Sequence, residues 1–372
     1  MASIRKKTTS SGETRYEVRV RIHGRWTSKT FLRSRDANEW ANQTEVDKTR
    51  GLAIDPAAGR VTVAEYVEDD IAARTLAATT EATYRDVLKR LIAPTIGKVP
   101  LGELSPDTVR RWYKLTESSF GRAQAAKAYR VLSAACNVAV NDGVIGRNPC
   151  AVRGGGQERS AERNILDASE ALRLADHIDP KLRAFVLLAA FGGLRREELL
   201  ALRRDDVDLR AGTVTVNRAA VFVRGKRIVK APKSEAGRRT VALPTVAIDG
   251  TAHHLAHYAE PGPLGLVFIG DKGSPLSTST LNKRFREARE AAGLTITIHE
   301  LRHTAGTMAA QLGSTTKEIM VRLGHSSPQA ALRYQHAVED RDRELVRRID
   351  AMIEETQRPL ATVEQLATKR TA

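Results

Sequence analysis

The sequence predicts a multidomain α+β protein: a small N-terminal β-sheet plus helix module, an all-α bundle, and a mainly α domain with a small antiparallel sheet. Three observations predict it. At 372 residues the chain exceeds what one hydrophobic core usually organises. Its apolar residues repeat every second position near the N-terminus and at helical spacing afterwards. Glycine-marked breaks at 51–59 and 153–156 divide it. The expected domains are 1–55, 61–152 and 160–355, with a polar tail at 356–372.

In the first module, Tyr16, Val18, Val20 and Ile22 alternate with Arg15, Glu17, Arg19 and Arg21, so a strand would bury one face and expose a mostly basic one. His23-Gly24 supplies a turn, Arg25 follows it, and 26–31 reads as the returning strand. A helix over 36–50 comes next, with Trp40 and Val46 as buried candidates. A two- or three-stranded sheet backed by a helix, bearing Arg15, Arg19, Arg21 and Arg25, could lie in a DNA groove; a solvated strand face is the competing reading.

The middle segment is helical throughout. Residues 80–91 place Tyr84, Val87, Leu88 and Leu91 on one face. Ser105-Pro106 opens another helix, since proline is tolerated in a first turn. The alanine-rich stretch 123–141 turns Tyr129, Leu132, Cys136 and Val140 inward, and Asp142-Gly143 ends it. The result is a four- or five-helix bundle with Lys89, Arg90, Arg110, Arg111, Lys127 and Arg130 outside. Arg153 and the three glycines after it read as a flexible linker. Beyond it, Asp167 and Glu170 have capping-box spacing, and 182–191 is apolar enough for a buried helix. Residues 213–216 and 240–243 read as strands around a hairpin at 224–226, and helices return from 280 to 353.

Sixty Lys and Arg against 44 Asp and Glu give a net charge of +16. Such an excess predicts a polyanionic partner, because neutralising phosphates releases condensed counterions. Anionic lipid is the alternative, but no Lys-rich amphipathic helix with bulky aromatics stands out. Two cysteines, Cys136 and Cys150, without a CxxC pair argue against a disulfide framework or a thiolate zinc site. There is neither the apolar core of a signal peptide nor an apolar run long enough to span a bilayer, so a cytoplasmic protein is expected.

Four segments of the C-terminal half could carry chemistry. In Gly192-Gly193-Leu194-Arg195-Arg196-Glu197-Glu198-Leu199, Arg195 with Glu198 one turn on could be an oriented guanidinium for a phosphate, or a surface ion pair. In Pro232-Lys233-Ser234-Glu235-Ala236-Gly237-Arg238-Arg239, a tip between strands, Lys233 could deliver a proton or simply be solvated. His299-Glu300-Leu301-Arg302-His303 contains H-E-x-x-H, in which His299 and His303 could bind zinc while Glu300 activates water. The third histidine of the extended zinc-protease pattern would fall on Ala309, and Glu318 is the nearby carboxylate candidate. Leu323-Gly324-His325-Ser326-Ser327-Pro328 precedes Tyr334, which alone would be an ordinary helical packing residue.

Taken in order, Arg195, Lys233, His299, Arg302, His325 and Tyr334 resemble the tyrosine recombinases of the bacteriophage integrase type, over about residues 160–350. Ala331 stands where many relatives have Thr, which removes no reacting group. The resemblance implies a site-specific recombinase whose Tyr334 attacks DNA in line to give a 3′-phosphotyrosine. It implies that Arg195 and Arg302 clamp the scissile phosphate and that His325 adds a hydrogen bond to it. By the same resemblance Lys233 protonates the leaving 5′-oxygen, His299 accepts the tyrosine proton, and Glu198 and His303 support them. No metal or nucleotide cofactor is implied, and the sequence has no Walker-type glycine loop. A tyrosine-class topoisomerase, a non-catalytic DNA-binding regulator and a zinc peptidase are the rival readings. The family pattern makes 1–55 an arm-type and 61–152 a core-type DNA-binding domain, on double-stranded attachment sites. It also implies a homotetrameric synapse, a host DNA-bending protein, an excisionase, and a place on the bacterial nucleoid.

Overall fold

A computed structural model describes residues 2–10, 12–22, 24–49, 58–158, 164–223, 225–232, 234–332, 334, 346–347 and 349–353. Lys233 and the Arg25 side chain lie outside the described residues. The chain divides into two compact units, Met1–Ala161 and Glu162–Ala372.

The first unit opens with β1 (Ser3–Thr8), β2 (Thr14–Ile22) and β3 (Arg25–Phe31), an antiparallel sheet in the order β1-β2-β3, followed by α1 (Ser34–Thr49). Alternation in β2 buries Val18, Val20 and Ile22 against Ala37 and Ala41 of α1. Trp40 is half-buried against the Phe31 ring. Val46 is exposed, contrary to expectation, because Ala37, Ala41 and Thr44 set the buried stripe of α1 and Val46 falls off it. The register pairs Ser3 with Arg19, Arg5 with Glu17 and Lys7 with Arg15, so these residues share the outer face. Arg21 pairs with the exposed Trp26 on that same face.

A separate core joins α2 (Val63–Ala73), α3 (Ala78–Val87), α4 (Pro106–Phe120) and α5 (Arg122–Asn141). Ser105 caps α4 with proline at the first helical position, as its sequence requires. After α3 the helix widens into a π-turn at Leu88–Ile92. The buried Trp112 indole donates to the Leu91 carbonyl of that turn at 2.8 Å. Arg153 and the glycine run 154–156 are not the free linker expected. Arg130 donates to the Gly156 carbonyl at 2.9 Å, and a Cβ on Gly155 would meet the Tyr129 ring at 3.2 Å. Here glycine permits close approach of the chain to α5.

The second unit begins with α6 (Ala168–His177), capped by the expected Asp167–Glu170 box, and α7 (Arg183–Ala190), buried at every residue after Arg183. The one-turn α8 (Arg196–Leu199) follows. Then come β4 (Val207–Asp208), β5 (Thr213–Val216), β6 (Ala219–Val223), β7 (Lys226–Lys230) and β8 (Arg239–Ala242). They form an antiparallel sheet β4-β5-β8 and a separate hairpin β6-β7. Helices α9 (Thr245–His257), α10 (Thr278–Ala291), α11 (Ile298–Gln311), α12 (Thr316–Leu323) and α13 (Pro328–Leu332) complete the unit. Phe185, Leu187, Leu188, Phe268, Leu281, Phe285 and Leu301 centre its main core. A smaller cluster of Ala305, Ala310, Ile319, Leu323, Ala331 and Tyr334 packs α11, α12 and α13 together.

Candidate active site

Short-range chemistry fixes the position of each side chain. Gly193 takes φ 69°, a conformation glycine adopts without strain, and turns the chain from α7 into α8. That turn leaves Arg195 extended at the N-cap of α8. Its peptide N–H donates to Glu198 Oε2 at 2.8 Å, and its guanidinium donates to Glu198 Oε1 at 2.7 Å. The other guanidinium arm donates to the Gly324 carbonyl at 2.9 Å, while the side chain stays 33% exposed.

Glu198 is 4% exposed and serves two guanidiniums. Arg239, at the start of β8, grips both its oxygens at 3.1 and 2.8 Å. Burial by itself would raise the Glu198 carboxyl; the Arg239 hydrogen bonds and charge outweigh it and hold the group at about 2. Arg302 on α11 is 2% exposed and donates to the Gly193 carbonyl at 2.5 Å and to the Leu323 carbonyl. Burial, then the neighbouring Arg195 charge, lowers its guanidinium to about 9, so it is cationic at neutral pH.

Tyr334 is 3% exposed. Its hydroxyl shares a 2.7 Å hydrogen bond with His303 Nδ1. The ring lies parallel to His325, with centroids 6.1 Å apart and planes within 3°. His325 follows Gly324, whose left-handed backbone (φ 62°) ends α12 and turns the chain back. His299 is exposed and meets His303 edge-on at 4.8 Å, so the tyrosine hydroxyl contacts the second histidine of the motif.

Both carboxylates of the zinc reading are engaged elsewhere. Glu300 accepts from the Thr297 amide at 2.7 Å in the capping box of α11, and Glu318 accepts from the Thr315 amide at 2.7 Å in that of α12. Among the described residues no group of three or more His, Cys, Asp and Glu could hold a metal.

Arg195, Glu198, His299, Arg302, His303, His325 and Tyr334 are therefore linked by direct contacts and through Gly193, Leu323 and Gly324. Arg239 ends the segment singled out around Lys233, but the motif reading gave it no role. Its signal was its phase: it shares the inward face of β8 with Val241, where an unpaired arginine would be costly. The guanidiniums of Arg195 and Arg239 share one carboxylate, and with the nearby Arg302 they leave a surplus of positive charge, which suits an anion with several oxygens.

The residues expected to meet DNA elsewhere are more dispersed. Arg15, Arg19 and Arg21 stand exposed on the outer sheet face, joined there by Arg5 and Lys7, which the sequence pattern did not single out. Lys89, Arg110, Arg111 and Arg130 are exposed and Lys127 is half-buried. Arg110 and Arg111 pair with Asp107 at 3.7 and 3.1 Å, and Arg130 pairs with Glu158 at 2.5 Å.

Residues 163–341 match the Phage integrase family. A prophage phiRv2 integrase of Mycobacterium tuberculosis is 35% identical to the chain, covering 88% of it and 89% of the relative. In fold, the chain resembles the Tn1549 transposon integrase solved with a circular intermediate DNA (TM-score 0.69, 20% identity, 78% of this chain and 99% of that one). It also resembles a lambda integrase tetramer bound to a Holliday junction (TM-score 0.57, 21% identity, 87% of this chain and 96% of that one).

Proposed function

The chain belongs to the phage integrase family of tyrosine recombinases, and on that premise we propose that it cleaves and rejoins DNA strands through a covalent bond to Tyr334. The observation that carries the assignment is the 2.7 Å contact between the Tyr334 hydroxyl and His303, in a cluster that also holds His325 and adjoins the buried Arg302. A phosphate beside Arg195 and Arg302 would have its non-bridging charge matched by two planar donors fixed by backbone carbonyls.

In the cleavage step, Tyr334 Oη bonds to the scissile phosphorus and the bond to the 5′-oxygen breaks. The phenolic proton passes to His303, which the geometry favours as first acceptor over His299, with His299 next to it. Lys233 supplies the proton of the departing 5′-hydroxyl. Rejoining runs the same exchange backwards: an incoming 5′-hydroxyl attacks the 3′-phosphotyrosine and Tyr334 regains its proton. The phosphotyrosine conserves the bond energy, so no nucleotide is consumed.

We extend the reading to the whole protein. The N-terminal sheet binds arm-type sites and the helical bundle binds core-type sites, so one protomer can bridge two DNA segments and gain affinity through effective concentration. Four protomers form the synapse, as the lambda integrase tetramer on a Holliday junction suggests. Val346, Ile349, Met352 and Ile353 are exposed in a helical segment after Tyr334 and would dock on a neighbouring protomer. A host DNA-bending protein and an excisionase set direction, giving integration and excision in the bacterial cytoplasm at the nucleoid. Among the described residues no helix is long and apolar enough to cross a membrane.

A duplex nicked beside the scissile phosphate tests the proposal by trapping the intermediate. The expected result is a protein–DNA adduct that forms in EDTA and is lost in Tyr334→Phe. An adduct that survives Tyr334→Phe would overturn the nucleophile assignment. Tight binding with no adduct from the wild type would make the chain a DNA-binding regulator.

A further inference from the structure

Arg239 is a buried charged group of the second unit, with 3% of its side chain exposed, yet the motif reading gives it no role. It touches three stretches of chain that present the candidate active site: α8, the loop that leads into β8, and the end of α12. Two of its nitrogens hold both oxygens of Glu198, which in turn holds Arg195. One of those nitrogens also donates to the Gly237 carbonyl at 3.2 Å, at the base of the loop that carries Lys233. Its Nε donates to the Arg322 carbonyl at 2.9 Å, in the last turn of α12 before Gly324 and His325.

The packing leaves no slack there. A Cβ on Gly324 would sit 2.7 Å from the Ala236 carbonyl oxygen and 3.0 Å from an Arg239 nitrogen. The Gly324 carbonyl in turn receives the second arm of Arg195 at 2.9 Å. One side chain thus fixes the carboxylate partner of Arg195, the root of the Lys233 loop and the turn that delivers His325.

We propose that Arg239 is a positioning residue for strand cleavage: by neutralising Glu198 and tying α12 to the Lys233 loop, it leaves Arg195 oriented but available to the scissile phosphate. The inference rests on the recombinase reading above. Its physical core is a competition. With Arg239 present, Glu198 divides its charge between two guanidiniums and Arg195 keeps donor capacity for a phosphate. Without Arg239, a buried carboxylate has Arg195 as its remaining guanidinium partner among these contacts and holds it away from DNA.

Single-turnover cleavage of the nicked duplex at saturating DNA, measured beside equilibrium DNA affinity on the full chain, tests this. Arg239→Met should slow adduct formation on the order of 100-fold while affinity changes less than about threefold, since one oriented charge, not the binding surface, is lost. Adding Glu198→Gln to Arg239→Met should recover at least about tenfold of the rate, because the stranded carboxylate is gone. A purely structural role predicts the opposite: the double variant, lacking two buried groups, would be worse than the single one. Arg239→Lys keeps the charge but not the planar fork; should Arg239→Met fail to fold, the lysine variant carries the test through a rate at least about tenfold lower at unchanged affinity. A wild-type rate in Arg239→Lys or Arg239→Met, a fall in affinity that matches the fall in rate, or no gain in the double variant would overturn the proposal. Tyr334→Phe separates the two levels. An adduct in that variant defeats the recombinase reading, whereas normal Tyr334 dependence with an indifferent Arg239 defeats this inference alone.

Discussion

Glu198 shows how a single buried carboxylate can organise a cationic site. Burial raises its pKa, and Arg239 with Arg195 brings it down to about 2 against an ordinary 4.5. Such a group binds fewer protons in the folded chain than in the unfolded one. Its stabilising contribution is therefore complete above pH 4.5 and is lost as the pH falls toward 2. At about 1.4 kcal/mol for each tenfold change in proton affinity, that contribution is about 3 kcal/mol. Glu198→Gln should lower stability at neutral pH, by leaving Arg239 buried without its anion, and should flatten the acid limb over that window. Denaturant titrations across that pH range check it; parallel curves for the two proteins would deny the carboxylate this role. At this scale the sequence was legible where motif order supplied context. Arg195, Arg302, His325 and Tyr334 were singled out by their company, and Glu198 by its spacing from Arg195. Arg239 was not, because the local string Gly-Arg-Arg-Thr does not say which arginine points inward. That follows from the phase of β8, which only pairing with β5 settles. The contact of Tyr334 with His303 rather than His299 likewise depends on how α13 lies against α11, a matter of tertiary packing.

Among the elements, the turn between α7 and α8 bears most directly on the site. Gly193 combines a left-handed backbone with a side-chain position already filled: a Cβ would lie 2.5 Å from Leu323 Cδ2 and 3.3 Å from Ala305 Cβ. Its carbonyl is also the acceptor that holds Arg302. Gly193→Ala should cost about 1–2 kcal/mol from the backbone alone, more once Leu323 is displaced, and should cut adduct formation along with stability. Thermal unfolding and the nicked-duplex assay measure both; a variant as stable and as fast as the wild type would mean that the turn tolerates a side chain. Elements with strong local signals were readable: the capping box at Asp167, the Ser105-Pro106 helix start, the alternation of β2. β1 was not, because all six of its residues are exposed and its strand character comes from pairing with β2 alone. The glycines at 154–156 misled for the converse reason. Composition distinguishes a flexible linker from a close-packed turn only when the neighbour is known, and here the neighbours are Tyr129 and Arg130 of α5.

For the whole molecule the governing quantity is charge, +16 over 372 residues, and its distribution matters more than its sum. Many of the exposed arginines of the helical bundle are tied to carboxylates, as Arg90 is to Asp86 and Arg111 to Asp107, and so offer less to DNA than the composition suggests. On the outer face of the N-terminal sheet Lys7 and Arg15 are tied in the same way, to Glu17 and Glu13, while Arg5, Arg19 and Arg21 stand exposed beside them. All five share that face with Glu17, whose carboxyl is lowered chiefly by its hydrogen bond to Lys7. Because Val18, Val20 and Ile22 occupy the opposite face, Arg19 and Arg21 can be replaced without touching the module's core. If this face reads arm-type DNA, the Arg19→Ala/Arg21→Ala variant should bind that DNA more weakly. Its affinity should also fall less steeply with salt, the slope of log K against log salt losing about 0.9 for each phosphate contact removed. Cleavage of a nicked core-site duplex should proceed as in the wild type, since these residues lie in the module proposed to bind arm sites. An unchanged salt slope on arm-site DNA would move the arm-binding surface elsewhere. An equal loss on core-site DNA would show that the sheet serves general affinity, not a second site.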